Sequence, residues 1–161
     1  MTAEESSTSD AKLTTACPNI AAALSPLHAQ RTRSAYRLND ASLPQVVVDR
    51  SFVASDGIAA GIRNVIGSST FSDCLKHRYE STPISLQKVT VSAVTVAKYP
   101  SAVGVLVRGI HGTGVTAEVV NVEVLVVTRA THVALVTLSS SGRNPIDAAV
   151  RDKVLGVLGA Q

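Results

Sequence analysis

Side chains able to do chemistry are sparse in this 161-residue chain. Its histidines are His28, His77, His111 and His132. An imidazole can move protons near neutrality or bind a metal, but only with partners held in fixed geometry. No spacing forces His111 and His132 together, and a lone strand histidine reads first as a packing or surface residue. Glu118 and Glu123 lie five residues apart in one apolar run. On a strand of period two they point to opposite faces, so they do not read as a general acid and base. Ser139-Ser140-Ser141-Gly142 has no identifiable base beside it. The sequence contains no GxSxG elbow, HExxH, Walker A, CxxC or EF-hand loop. The stretch from Gly109 to Gly114 has the spacing GxxGxG and leads into a strand. With no helix dipole behind it, it reads as a hairpin needing positive φ and not as a phosphate cradle.

Cys17 and Cys74 admit two readings. Bridged, they close a long loop and tie the N-terminal segment to a helical layer. Unbridged, they are two small buried apolar side chains. Neither zinc nor thioredoxin chemistry fits their spacing, and no metal or cofactor is expected.

Composition narrows the class. The length suits a single domain able to bury a core without staples. Charged residues are 17% and apolar residues 45%, so the chain is not of disordered composition. Aromatics are 3% with no Trp, leaving Val, Ala, Leu and Ile to build the core. The net charge of +3 is modestly basic. Its cations, Arg31/Arg33/Arg37 and Lys76/His77/Arg78, have no stacking platform beyond Tyr36 and Tyr79, which argues against nucleic acid as partner. No run of 18 apolar residues exists, so no transmembrane helix is expected. Residues 1–12 are Ser/Thr-rich and acidic without an apolar signal-peptide core. They read as a disordered tether, extending to residue 16, of the kind that follows the cleavage site of an exported or lipid-anchored bacterial protein. The alternative is an ordinary disordered cytosolic N-terminus.

The elements that would position these residues follow from periodicity. Residues 18–38 are predicted helical, broken at Ser25-Pro26. Val46-Val47-Val48 is either a short edge strand or a crossing loop. Ile58, Ile62, Val65 and Ile66 mark an amphipathic helix starting at Ser55 or Asp56 and ending at Gly67. Thr70 to Asp73 has the form of a capping box for a further helix carrying Phe71, Cys74, Leu75 and Tyr79. From Ile84 the pattern alternates. Val89, Val91 and Ala93 share one face and Val94 and Val96 the other, suggesting a bulge or strong twist near residues 92–94. Strands follow over residues 103–107, 115–127 and 132–138, connected as sequential antiparallel neighbours. A terminal helix is predicted with Asn144 as cap, Pro145 at its first position and Asp147 favouring its dipole. The predicted class is α+β: a single domain over residues 17–161, with a twisted antiparallel sheet of four to five strands and N- and C-terminal helices packed on one face.

Phe71-Ser72-Asp73-Cys74-Leu75, the valine-rich hairpins through residues 119–127 and 133–138, and the Asn-Pro-initiated terminal helix give the chain a recognisable layout. It resembles the extracytoplasmic domains of mycobacterial lipoproteins and the sensor domain of PknH-type receptor kinases. That resemblance implies a twisted antiparallel sheet with helices on one side, disulfide bonding (here Cys17 with Cys74) and a cleft for an envelope ligand. The chain departs from the kinase sensors in having two cysteines where they have more, and no site residue is carried over from them. The expected function is a non-enzymatic, extracytoplasmic, secreted or lipid-anchored domain. Its expected partner is a small-molecule or lipidic ligand or an envelope protein, with Arg108, His111, His132 and Tyr79 as candidate ligand contacts. Two alternatives stand beside it: a structural, homo-oligomerising module, and a small enzyme using His111 or His132.

Overall fold

The computed structural model describes residues 17–28, 31–36 and 44–159, with backbone alone for residues 28, 31–36 and 159. The predicted tether, residues 1–16, lies outside the described residues, as does Arg37 of the arginine face. In chain order the elements are α1 (Pro18–Leu24), a 3-10 turn (Ser25–His28), β1 (Arg31–Tyr36), β2 (Gln45–Phe52), α2 (Asp56–Ile66), α3 (Ser69–Glu80), β3 (Gln87–Thr95), β4 (Ala102–His111), β5 (Glu118–Arg129), β6 (His132–Ser141) and α4 (Ala148–Gly159). The strands form one antiparallel sheet in the order β1-β2-β6-β5-β4-β3. This is the predicted α+β class: an antiparallel sheet with helices before and after it.

Strands β3 to β6 run as the expected meander of sequential neighbours. The Gly112 turn between β4 and β5 has φ +83, a conformation open to glycine at no steric cost. The sheet has six strands, one more than the upper figure of the predicted four to five. The Val46 to Val48 run belongs to β2, which pairs with β1 and β6 and so is an interior strand, neither the edge strand nor the crossing loop expected. Residues 31–36, predicted as the end of a helix, are strand β1. The alternation Arg31-Thr32-Arg33-Ser34 has period two, and pairing with β2 satisfies its backbone where a short isolated helix would have had little apolar face to bury.

The helices occupy both faces of the sheet, which corrects the one-face expectation. On the first face, Ile20 and Leu24 of α1, Ile62 and Ile66 of α2, and Phe71 and Leu75 of α3 pack with Val105, Val107, Val122, Val124 and Val126. On the second, Ile146 and Leu155 pack with Val46, Val48, Leu125, Val136 and Leu138. With the first face filled by α1 to α3, the apolar stripe of α4 finds its cover only on the other side. Strand β5 is consequently buried at six successive residues, 121–126. Continuous burial of this kind is what a strand covered on both faces shows. The same cause removes the bulge expected near residues 92–94. Val89 and Val91 join the first cluster and Val94 and Val96 the second by ordinary alternation. The register shift lies instead between Gln87 and Thr90, where Lys88 adopts φ 52.

Two caps also differ in place. Ser68, not Thr70, caps α3, its hydroxyl accepting from the Phe71 amide at 3.2 Å. Helix α4 starts at Ala148 with the Asp147 carboxylate accepting from the Ala149 amide at 2.8 Å. Asn144 and Pro145 lie in the strap before it, which is held to the sheet by its own contacts.

Cys17 and Cys74 form a disulfide, with Cα atoms 5.9 Å apart. It joins the residue preceding α1 to the buried side of α3 across a separation of 57 residues. Closing that loop removes unfolded-state entropy worth about 4 kcal/mol. A Cys17→Ser/Cys74→Ser double variant is therefore expected to melt roughly 10 °C lower than the oxidised protein by circular dichroism. An unchanged melting temperature would show that the bridge does not constrain the fold.

Candidate functional site

The four candidate ligand contacts do not converge. His111 ends β4 opposite Glu118, whereas His132 opens β6 opposite Arg129. Those positions are the two ends of β5, about 35 Å apart at a strand rise of about 3.3 Å per residue. His111 is exposed, and His132 lies against exposed Phe52 with ring centroids 4.3 Å apart. Arg108 reaches over the second face, where its guanidinium donates to the Arg143 carbonyl. Tyr79 packs against the first-face core from α3, and burial pushes its phenol above the ordinary value while neighbouring Arg78 pulls it down. The sheet thus separates Arg108 from Tyr79. Among the described residues, no three His, Cys, Asp or Glu side chains group as metal ligands.

The buried polar groups divide between the faces: Asp49 and Ser51, the latter donating to the Leu27 carbonyl at 2.7 Å, lie on the first, and Asn121 and Glu123 on the second. Glu123, 1% exposed, accepts from Arg151 Nε at 2.7 Å and from a terminal guanidinium nitrogen at 2.9 Å. Both carboxylate oxygens are engaged, so the pair clamps α4 to β5 and leaves no oxygen free for acid–base work. The hydrogen bond to Glu123 raises the arginine pKa above its ordinary value against the opposing effect of burial. That direction means the contribution is present at all pH values below the unfolded arginine pKa and is lost only as pH rises through the higher folded value. Asn121, fully buried, donates to the Gly142 carbonyl at 3.0 Å and the Asn144 carbonyl at 3.2 Å. Together with Arg108 it straps residues 142–144 over the sheet. Its Oδ1 has no hydrogen-bond partner.

A groove with room for a small molecule lies elsewhere among the described residues. It has a volume of about 570 Å³ and runs between the α2–α3 corner and the β3–β4 hairpin. One wall is Ser68, Ser69 and Ser72; the other is formed by Ala93 to Ala97 and Ala102 to Val105. The local sequence explains its shape. Helix α2 stops at Gly67, and Ser68 at once caps α3 while donating its own hydroxyl to the Val65 carbonyl at 2.6 Å. The corner is therefore tight and presents serines to the sheet. The hairpin turns where the Tyr99 amide donates to Val96 and the Ala102 amide to Tyr99. Gly104 is required beside it, since a Cβ there would lie 2.4 Å from the Leu125 side chain and the Val124 carbonyl. Among the described residues, none that lines the groove is charged. Hydroxyls without a base or cation beside them can orient a neutral ligand but not activate a nucleophile.

No family model and no curated protein matches this chain.

The groove residues escaped the sequence reading because small and hydroxyl side chains have no spacing that marks them as a site. The run Gly67-Ser68-Ser69-Thr70-Phe71-Ser72 was the available signal, and it had been read only as a cap. Glu123 and Asn121 were more legible. Two polar residues at i and i+2 inside a valine run must share a face, and that face must meet polar partners.

Two stability outcomes follow from the second face. Arg151→Met leaves the Glu123 carboxylate buried and unpaired and is expected to cost about 3–5 kcal/mol in urea unfolding. Asn121→Ala, which orphans two strap carbonyls, is expected to cost about 1–3 kcal/mol. Losses below half a kilocalorie would mean that the clamp and strap are not held as described.

Proposed function

We propose that this protein is a non-enzymatic, extracytoplasmic binding domain that takes up a small, neutral, mainly apolar molecule of lipidic character. The observation that carries the reading is the uncharged groove between the α2–α3 corner and the β3–β4 hairpin. Its volume is in the range of small-molecule sites, about 300–1,000 Å³. Its walls are hydrocarbon from Ala93, Val103 and Val105, with serine hydroxyls along one rim. An ionic ligand would find no counter-charge there, whereas an apolar chain ending in a hydroxyl, ester or amide would bury its hydrocarbon and keep its polar end at the serines. The Cys17–Cys74 disulfide is compatible with an oxidising compartment, and no helix among the described residues is long and apolar enough to cross a membrane. Secretion or lipid anchoring at a cell envelope is part of the proposal.

The neutral fluorophore N-phenyl-1-naphthylamine tests it. Titrated into the purified protein, it is expected to give saturable enhancement, weakened at least about tenfold by Ala93→Phe, because the phenyl ring occupies volume worth a comparable loss of apolar burial. Ser69→Trp, at an exposed position on the opposite wall, provides a second filling variant, with thermal melting showing that each remains folded. Absence of saturable binding, or binding indifferent to both substitutions, would overturn the groove as the site.

A further inference from the structure

The two edges of the sheet are unlike. Strand β1 closes one edge and carries Arg31 and Arg33; β3 closes the other and has a neighbour on one side only among the described residues. Arginines on an edge discourage further strand pairing, as do prolines and bulges in its middle. Strand β3 has none of these where it matters. From Val89 to Thr95 it carries no charge, no proline and no glycine, and its single charge and register shift sit at the start, around Lys88. Thr90, Ser92, Ala93 and Thr95 are exposed. An uncharged, β-branched edge of this length is a template for another strand.

We propose that a second copy of this chain occupies that edge, β3 pairing antiparallel with β3 of the partner about a two-fold axis perpendicular to the sheet. Such an axis brings a residue opposite its own copy and keeps each face continuous across the junction. Centred on Ser92, the middle of the run Val89 to Thr95, it places Val91 opposite Ala93, Thr90 opposite Val94 and Val89 opposite Thr95. Each is a pairing of small or β-branched side chains suited to cross-strand contact. Lys88 falls outside this run, so no like charges oppose each other. The self-complementarity of the strand selects a second copy over an unrelated strand. The result is one twelve-stranded sheet with α1 to α3 of both copies on the same side. This inference does not rest on ligand binding, and Ser92 does not line the groove.

Sedimentation velocity across a wide dilution series is expected to show a concentration-dependent dimer. Ser92→Lys, which sets two ammonium groups opposite each other, is expected to weaken association at least about tenfold. Ser92→Cys should cross-link the dimer under oxidising conditions, because directly opposed Cβ atoms about 4.5–5.5 Å apart approach disulfide reach. Val115→Cys, fully exposed on the distant β4–β5 hairpin, should not. A wild-type protein that stays monomeric throughout, or a dimer that ignores Ser92→Lys and is not captured by Ser92→Cys, would overturn the proposal.

Discussion

Strand β5 must be covered on both faces, and the rest of the structure follows from that requirement. Its six consecutive buried residues, 121–126, alternate between two different kinds of neighbour. Val122, Val124 and Val126 meet helices α1 to α3 through hydrocarbon alone. Asn121, Glu123 and Leu125 face the other way, and two of these three need polar partners once water is excluded. The strap over residues 142–144 and the guanidinium of Arg151 supply them. An apolar sheet face would accept a helix in many orientations. A buried carboxylate gripped by two arginine nitrogens accepts it in one.

This division leaves little chemistry for the sheet to do. The Glu123–Arg151 pair is consumed in holding α4, while His111 and His132 stand at opposite ends of β5, far beyond mutual reach. The groove lies at the β3–β4 end, and its lining among the described residues carries no charge. Its character comes from the tight α2–α3 corner, whose first serine spends its hydroxyl on capping and leaves its neighbours at the rim. The disulfide strengthens the same layer by fixing the chain before α1 to the buried side of α3.

Several parts of this arrangement were legible in the residues. The stripe Ile58, Ile62, Ile66 specifies α2 through spacing alone, and Gly67 marks its end. The meander β3 to β6 follows from alternating valines and short turns, with Gly112 supplying the backbone conformation its hairpin needs. Other parts were misread for identifiable reasons. The segment 31–36 has no sustained apolar period, so local propensity could not reveal that β2 would pair with it. The caps of α3 and α4 shifted because Ser68 and Asp147 have better access to the first amides than the residues that matched a motif.

What the sequence by itself determined is therefore local: which segments alternate, which carry a helical stripe, where turns must fall, and that no familiar catalytic motif is present. These depend on neighbours a few residues apart along the chain. Tertiary structure alone decided that the terminal helix lies on the opposite face from the other three, that Cys17 meets Cys74, that Glu123 is a clamp, and that serines and valines from distant segments enclose a groove. Each of these joins groups separated by tens of residues, and its energy comes from burial and pairing that exist only after the sheet has formed. The valine run 119–127 shows the boundary between the two. Its composition announced a strand, but only packing revealed that both sides of that strand are interior.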